Sequence, residues 1–114
     1  MKDCAFCKII AGELSGDIVY SDEQVTAFHD IHPVAPVHIL IVPNRHIRSV
    51  NEITSQDEPL VGHMLYVAGK IAEDKKIQES GYRLITNTGP DAGQAVFHLH
   101  LHLIGGQHMR YPMG

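Results

Sequence analysis

The sequence of 114 residues predicts a single domain of the α+β class, an antiparallel five-stranded sheet with one long and one short helix. Three observations predict this class. Two β-rich segments near the start are joined by a short polar turn, and a long central segment repeats its apolar residues every three or four positions. Two more β-rich segments follow. Hydrophobic residues make up 44% of the chain, enough for one core without disulfides.

The first half of the chain supplies the short helix and three strands. Residues 3–11 are expected to form the helix, with Asp3 as its N-cap and Gly12 at its C-terminal end. Its apolar residues fall at helical spacing and should share one face. The strands expected in this half are 17–20, 24–29 and 37–42, of which the first two are joined by the turn Ser21-Asp22-Glu23.

The second half supplies the long helix and two strands. A capping box is expected where the helix begins, with Thr54 or Ser55 as N-cap and Asp57 or Glu58 as the acidic partner. The helix should run to about residues 74–77 and bury one apolar stripe. The elements expected after it are a strand at 82–86, a glycine-bearing loop at 87–94, a strand at 96–104 and an irregular tail at 107–114.

The last predicted strand carries histidine at three alternate positions, His98, His100 and His102. Alternate residues of a strand share a face, so these imidazoles should face a cleft while the residues between them face the core. Imidazole suits metal binding, proton transfer and nucleophilic attack near neutral pH. The pattern therefore indicates a reactive site. A three-histidine zinc site and an amphipathic strand with an ordinary polar face are the alternatives. The core-facing residues are expected to be Phe97, Leu99, Leu101 and Leu103.

The loop that precedes this strand is suited to an anion. Glycine lets backbone N–H groups approach a phosphate closely, and Asn87 and Gln94 add side-chain donors. A histidine nucleophile beside such a loop is the arrangement that nucleotidyl or phosphoryl transfer needs, because the neighbouring donors can hold the oxygens on phosphorus. A plain turn is the alternative explanation of the glycines.

Composition excludes several other classes of function. The formal net charge is −4, which argues against nucleic-acid binding because that needs a basic face. No apolar run approaches the length of a membrane span. The first residues, Met-Lys-Asp-Cys, do not resemble a secretory signal, so we expect a cytoplasmic protein.

Four blocks of the sequence resemble the histidine triad (HIT) nucleotide-binding family, and its bacterial zinc-binding Hint branch in particular. They occur in the family's order and span nearly the whole chain. The blocks are FCKII at 6–10, AFHDI at 27–31, PVHILIVP at 36–43 and GQAVFHLHLHLIGG at 93–106. The resemblance implies that residues 1–114 form one HIT domain, which associates as a homodimer.

The resemblance also implies an activity, the hydrolysis of purine nucleoside monophosphates linked at phosphorus to an amine or an acyl group. His100 would attack phosphorus and form a nucleotidyl-histidine intermediate, and His102 would contact the phosphate and assist the leaving group. His98 and His38 would complete the catalytic set. Dinucleoside polyphosphate hydrolysis, or regulatory binding of a purine nucleotide with incidental hydrolysis, are the alternative functions.

The same resemblance implies a binding site for AMP, GMP or adenosine. Asp30 would accept hydrogen bonds from the ribose. Asn87, Gly93, Gln94 and Ala95 would serve the phosphate together with His100 and His102. Several relatives carry serine where this chain has Ala95, and the serine hydroxyl is thought to help protonate the leaving group. The base would lie against Phe6, Ile9, Leu14, Phe28 and Ile31.

Cys4 and Cys7 have the C-x-x-C spacing of a metal site, but two cysteines supply only half of one. The resemblance completes the set with His46 and His98, as a structural zinc site. Such an ion would tie the N-terminal helix to the histidine strand and orient His100. Two thiols that bind no metal are the alternative.

Overall fold

A single antiparallel sheet of five strands organises the protein, shown by a computed structural model that describes residues 3–110. The strands are β1 (Ile18–Ser21), β2 (Val25–His29), β3 (Val37–Pro43), β4 (Tyr82–Ile85) and β5 (Leu101–Gly105), and the helices are α1 (Ala5–Ile10) and α2 (Glu58–Asp74). The order across the sheet is β1-β2-β3-β5-β4. The predicted class and strand number are confirmed, and residues 111–114 of the predicted tail lie outside the described part.

The central strand β3 separates two apolar layers. Ile39 and Ile41 belong to the cluster that contains the buried side chains of α2, whereas Leu40 and Val42 pack with residues of α1. The α2 layer has thirteen buried members and the α1 layer has four, so the α2 layer supplies most of the apolar stabilisation. The α1 face of the sheet is therefore left with room for polar groups.

Helix α1 begins at a cysteine and not at the predicted aspartate. Cys4 is the N-cap, and its Sγ accepts a hydrogen bond from the Cys7 N–H at 3.3 Å. Asp3 is exposed and lies one residue too early, so its prediction as N-cap was wrong. The end of the helix agrees with expectation: Gly12 adopts a φ of +79°, which glycine accepts without strain, and its N–H bonds to the Ile9 carbonyl.

Helix α2 begins as predicted, through Thr54 and Asp57. The Thr54 N–H donates to the Asp57 carboxylate at 2.8 Å, and a short 3-10 turn at Ser55–Asp57 leads into the helix. Arg45 forms an ion pair with the same carboxylate. Leu60 is half-buried, and the buried stripe consists of Met64, Val67, Ala68, Ile71 and Ala72.

Strand β5 is shorter than predicted, because it begins at Leu101 and not at residue 96. Its ladder with β3 starts at the pair Ile41–Leu101, and the last two residues of β3, Val42 and Pro43, pair with β2 alone. The earlier residues keep one backbone link to that segment, from the Leu99 N–H to the Ile47 carbonyl. One residue of the predicted core face is wrong: Phe97, expected in the core, is 48% exposed, whereas His98 and His100 on the other face are buried.

The β1–β2 turn is organised by the Asp22 carboxylate. It accepts hydrogen bonds from the Gln24 and Val25 N–H groups at 2.7 and 2.8 Å, and from the Tyr20 hydroxyl at 2.7 Å. His63 Nε2 of α2 lies 2.7 Å from the same carboxylate, so this histidine ties the helix to the turn. Burial alone would raise the pKa of Asp22, but these hydrogen bonds outweigh it and hold the pKa well below its usual range.

Asp22→Asn is expected to lower the free energy of unfolding by about 1–2 kcal/mol at pH 7, because the charged acceptor of four hydrogen bonds is lost. A carboxylate with a depressed pKa stabilises the native state above its unfolded pKa of about 3.9, so the difference should shrink as the pH falls from about 4 toward 2. Urea unfolding at both ends of this range measures it. Glu23→Gln, a neighbouring exposed site, is the control, and an equal loss in both variants would contradict the assignment.

Candidate active site

The α1 face of the sheet carries a row of histidines from three segments. His38 lies on β3 and His102 on β5, where His102 stands opposite Leu40 of the α1 layer. His100 and His98 lie on the irregular segment just before β5, and His46 follows β3. The ring centroids of His100 and His102 are 5.0 Å apart, and those of His46 and His98 are 4.9 Å apart. The structure thus brings together all four predicted catalytic histidines.

The tautomer of His100 follows from one hydrogen bond. Its Nδ1 lies 2.7 Å from the carbonyl oxygen of His98, which can only accept. Nδ1 must therefore carry the proton, and in the neutral ring Nε2 keeps its lone pair. Phe6 packs edge-to-face against the ring at 5.1 Å, and His100 is 7% exposed. This arrangement holds one imidazole with a nucleophilic nitrogen and little freedom to rotate.

The tautomers of His38 and His102 are fixed in the same way. The Val34 N–H donates to His38 Nδ1 at 3.1 Å, so His38 carries its proton on Nε2. That Nε2–H donates to His102 Nδ1 at 2.9 Å, which leaves His102 with an Nε2–H as a free donor. Asp30 Oδ2 lies 3.4 Å from His38 Nε2. A cation on Asp30, His38 and His102 would displace this shared proton, so the geometry favours a hydrogen-bonded relay over a metal site here.

Both of these histidines are held neutral. Burial lowers the pKa of His38, and the nearby Asp30 only partly opposes it. Burial, with the added repulsion of His100 and His38, lowers the pKa of His102 to about 4. At neutral pH the pair therefore acts as an oriented donor–acceptor chain rather than as a positive charge.

A second cluster joins α1 to the histidine segment. The ligand atoms of Cys4, Cys7, His46 and His98 all lie within 4.8 Å of one another. Cys4 Sγ lies 3.2 Å from His98 Nδ1, and Cys7 Sγ lies 3.4 Å from His46 Nδ1. In a tetrahedral zinc site the sulfur–nitrogen separation is about 3.5 Å. These four residues therefore form a Cys2His2 cluster that could hold a metal ion.

The surroundings of this cluster suit a cation. His98 Nε2 lies 2.8 Å from the Pro43 carbonyl and must donate to it, so Nδ1 presents a lone pair to the thiols. Burial lowers the pKa of His98 to about 4, and burial together with Cys4 raises the pKa of Cys7 to about 11. Neutral imidazole nitrogen is the ligand form of histidine, and a bound cation would reverse the shift at sulfur.

The glycine-bearing loop is held in place mainly by Gln94. Its side chain accepts from the Gly89 N–H at 2.9 Å and donates to the carbonyls of Arg48 and Val96. Gly93 adopts a left-handed conformation, and its N–H bonds to the Pro90 carbonyl. The Ala95 N–H has no hydrogen-bond partner within residues 3–110. This N–H is therefore available to an anion, while Asn87 is half-buried at the start of the loop.

The predicted base-binding residues fall into two groups. Phe6 and Phe28 are buried and pack edge-to-face at 5.3 Å, with Ile9 partly buried against them. Leu14 is 45% exposed and Ile31 is 84% exposed. The two phenylalanines can thus form only the floor of a base site, whereas the exposed aliphatic side chains have surface to offer to a ligand.

Three contributors to this site carry no signal in the sequence. They are the carbonyl of Pro43, the N–H of Val34 and the carbonyl of His98, each of which fixes a tautomer. All three are backbone groups that almost any residue could supply, since only proline lacks the N–H. Only the fold shows that they face an imidazole.

The fold and the histidine row agree with comparisons to known proteins. The HIT domain model matches residues 11–109, and the chain belongs to the HIT domain family. The chain is 52% identical over 113 residues to the purine nucleoside phosphoramidase of Escherichia coli K12, an alignment that covers 99% of this chain and 92% of that protein.

Solved structures give the same result. A HIT family hydrolase from Clostridium thermocellum has a TM-score of 0.96 at 50% identity, with 99% of this chain and 98% of that chain covered. A HIT family hydrolase from Legionella pneumophila Philadelphia 1 has a TM-score of 0.95 at 43% identity, with 98% and 100% covered. The predicted family and fold are confirmed.

Acid is expected to destabilise the protein between about pH 6.5 and pH 4. In this window the unfolded chain binds a proton at residue 102 that the native state excludes, because the native pKa of His102 is about 4. Between pH 7 and pH 4.5, wild type should lose about 2 kcal/mol more unfolding free energy than His102→Gln. Urea unfolding measures the loss. His108→Gln, at an exposed position, should lose as much unfolding free energy as wild type. An equally large loss in His102→Gln would contradict the prediction.

Proposed function

We propose that this protein hydrolyses purine nucleoside phosphoramidates through a nucleotidyl intermediate on His100. The observation that carries the proposal is the bond from His100 Nδ1–H to the His98 carbonyl, which leaves Nε2 as a fixed nucleophile. The 52% identity to a purine nucleoside phosphoramidase supports the same reaction.

The reaction takes two steps. His100 Nε2 attacks phosphorus and the P–N bond breaks, so the amine departs with a proton taken from water. Water then attacks phosphorus and the P–Nε2 bond breaks, which releases the nucleoside monophosphate and restores the imidazole. The His98 carbonyl stabilises the positive charge on the nucleotidyl-imidazole through Nδ1–H, and His102 Nε2–H donates to a phosphoryl oxygen.

The nucleotide is proposed to span the α1 face. The Ala95 N–H and the Asn87 side chain would hold the phosphate, in a loop shaped by Gly93 and Gln94. Asp30 would accept from the ribose hydroxyls, as a carboxylate suits a diol. The purine of AMP or GMP, or of adenosine, would lie over Phe6 and Phe28 against Ile9, Leu14 and Ile31.

We propose that zinc is the ion held by Cys4, Cys7, His46 and His98. The sulfur–nitrogen separations and the lone pair on His98 Nδ1 support it. When bound, zinc supplies a structural cross-link and no reacting group. The four residues would then join α1 to the segment that carries His100, and the His98 carbonyl would be held in place as its acceptor.

A slow, mainly nucleotide-binding protein is the second candidate, and Ala95 favours it. Its exposed side chain is a methyl group, which cannot donate a proton to a leaving group. Nothing specific in the structure favours dinucleoside polyphosphates. Turnover of adenosine phosphoramidate set against that of diadenosine polyphosphate, with AMP affinity measured in parallel, separates the three functions.

The partner is proposed to be a second copy of this chain. Strand β4 lies at the edge of the sheet, and Tyr82 on it is exposed. An exposed edge strand is a typical site of association. Light scattering tests the dimer.

The location we propose is the cytoplasm. Cys4 and Cys7 are free cysteines, and a reducing compartment keeps thiols in this state.

His100→Ala is expected to lower kcat for adenosine phosphoramidate at least about a thousandfold, since the nucleophile is removed. Affinity for AMP should change little. Acid quenching of wild type during turnover, followed by peptide mass spectrometry, should find the nucleotidyl adduct on His100. His32→Ala, an exposed histidine, is the control. Turnover that survives in His100→Ala, or an adduct on another residue, would contradict the proposed mechanism.

Metal analysis is expected to find one zinc ion per chain in protein purified without chelators. Cys4→Ser and Cys7→Ser should each lose the ion. Their free energy of unfolding, measured with urea, should fall by about 2–4 kcal/mol, because the ion cross-links two segments. His29→Ala, outside the cluster, should keep its metal. Protein that carries no zinc and is not stabilised by added zinc would refute the assignment.

A further inference from the structure

A cavity of about 420 Å³ opens beside the metal-ligand cluster, at the end of the histidine row away from Asp30. Small-molecule sites typically have volumes of this order. The residues that line this cavity include Cys4, His46, Arg48, Ala95, Val96 and Phe97.

The cavity lies at one end of an ordered line of contacts. Asp30 is next to His38, His38 bonds to His102, and His102 is in ring contact with His100. His100 in turn bonds to His98, which meets Cys4 at the cavity wall. The link between the cavity and the phosphate is Ala95, whose N–H is proposed to hold a phosphate oxygen, so the cavity is adjacent to the reacting phosphorus. Ala95 both lines the cavity and offers the open amide.

Arg48 gives the cavity a positive side. Its guanidinium stacks on the Phe97 ring, with Cζ 4.4 Å from the centroid, and its carbonyl is held by Gln94 Nε2 at 2.9 Å. No carboxylate of residues 3–110 lies within ion-pair distance of it, although the exposed Asp3 also lines the cavity. Stacking restricts the guanidinium and leaves its N–H edges available to an anion.

Arg45 shows the contrast. It lies three residues earlier, is 61% exposed at its side chain, and is neutralised by its ion pair with Asp57. It does not line the cavity. The charge of Arg48 is therefore the one positioned to meet a ligand beside Ala95.

We propose that this cavity receives the leaving group and that Arg48 selects amines that carry a carboxylate. The inference rests on the proposed phosphoramidase activity and names the substrate class within it. An amino acid joined through its nitrogen to the nucleotide phosphorus fits, because its carboxylate follows the reacting nitrogen by two bonds and can reach the guanidinium as a charge-assisted pair. The chemistry is that already given: the P–N bond breaks, and the amine nitrogen takes a proton from water.

The test compares two substrates that differ only in charge, the adenosine 5′-phosphoramidates of glycine and of glycinamide. Wild type should favour the glycine conjugate by about tenfold in kcat/KM, and Arg48→Gln should abolish that preference. Arg48→Lys should keep part of it, since the charge remains without the planar fork. Arg45→Gln removes the same charge outside the cavity and should keep the wild-type ratio. Raised salt should reduce the ratio of the two kcat/KM values in wild type but leave it unchanged in Arg48→Gln.

The outcomes separate the two levels of the proposal. Turnover of neither conjugate by wild type, with AMP still bound, overturns the phosphoramidase activity and the inference with it. Turnover of both with equal kcat/KM, or an unchanged ratio in Arg48→Gln, overturns the inference while the activity stands. An equal shift in Arg48→Gln and Arg45→Gln also overturns it, because the effect would then be one of net charge.

Discussion

The site depends on one buried residue, His98, which bonds in three directions. Its Nε2–H donates to the Pro43 carbonyl at the end of β3, its Nδ1 faces the two thiols, and its own carbonyl accepts from His100. The side chain is fully buried, so loss of any partner would leave a polar atom unsatisfied in an apolar layer. The sheet, helix α1 and the proposed nucleophile His100 are thus linked through a single imidazole and its peptide group.

Burial explains why the histidines can be stacked without mutual repulsion. His98 and His102 each have a pKa lowered to about 4, so neither is charged near neutral pH. Neutral imidazole has one donor and one acceptor, and the ring nitrogens that contact a neighbouring group each meet one of the matching kind. The Val34 N–H fixes the tautomer of His38, and the Pro43 carbonyl fixes that of His98. The backbone therefore decides which nitrogen faces the substrate.

Much of this could be predicted, and the failures have physical causes. The amphipathic helix, the Thr54–Asp57 capping box and the five strands follow from patterns local to the chain. Alternation correctly separated the histidines from the leucines, yet their strand begins only at Leu101, because the ladder with β3 stops at Ile41 although β3 itself continues to Pro43. The Cys4 cap replaced Asp3, since a thiol placed to face His98 also reaches the Cys7 N–H. The tie between Asp22 and His63 spans 41 residues, and no local pattern predicts it.

The short segment from Ala95 to His100 carries more functions than its length suggests, and this constrains how the site can vary. Its residues supply an open amide, part of a cavity wall, the Cys2His2 cluster member His98 and the proposed nucleophile His100. Because Phe97 points out of the core, it can support Arg48 without disturbing the packing of Leu99 on the other side. If the cavity receives the leaving group as we propose, a change of leaving-group preference can arise at Phe97 or Arg48 while the imidazoles stay in place. A change at His98 would move this anchor, a ligand of the proposed zinc site and the proposed nucleophile together, so selection for new substrates should act on the exposed side of this segment.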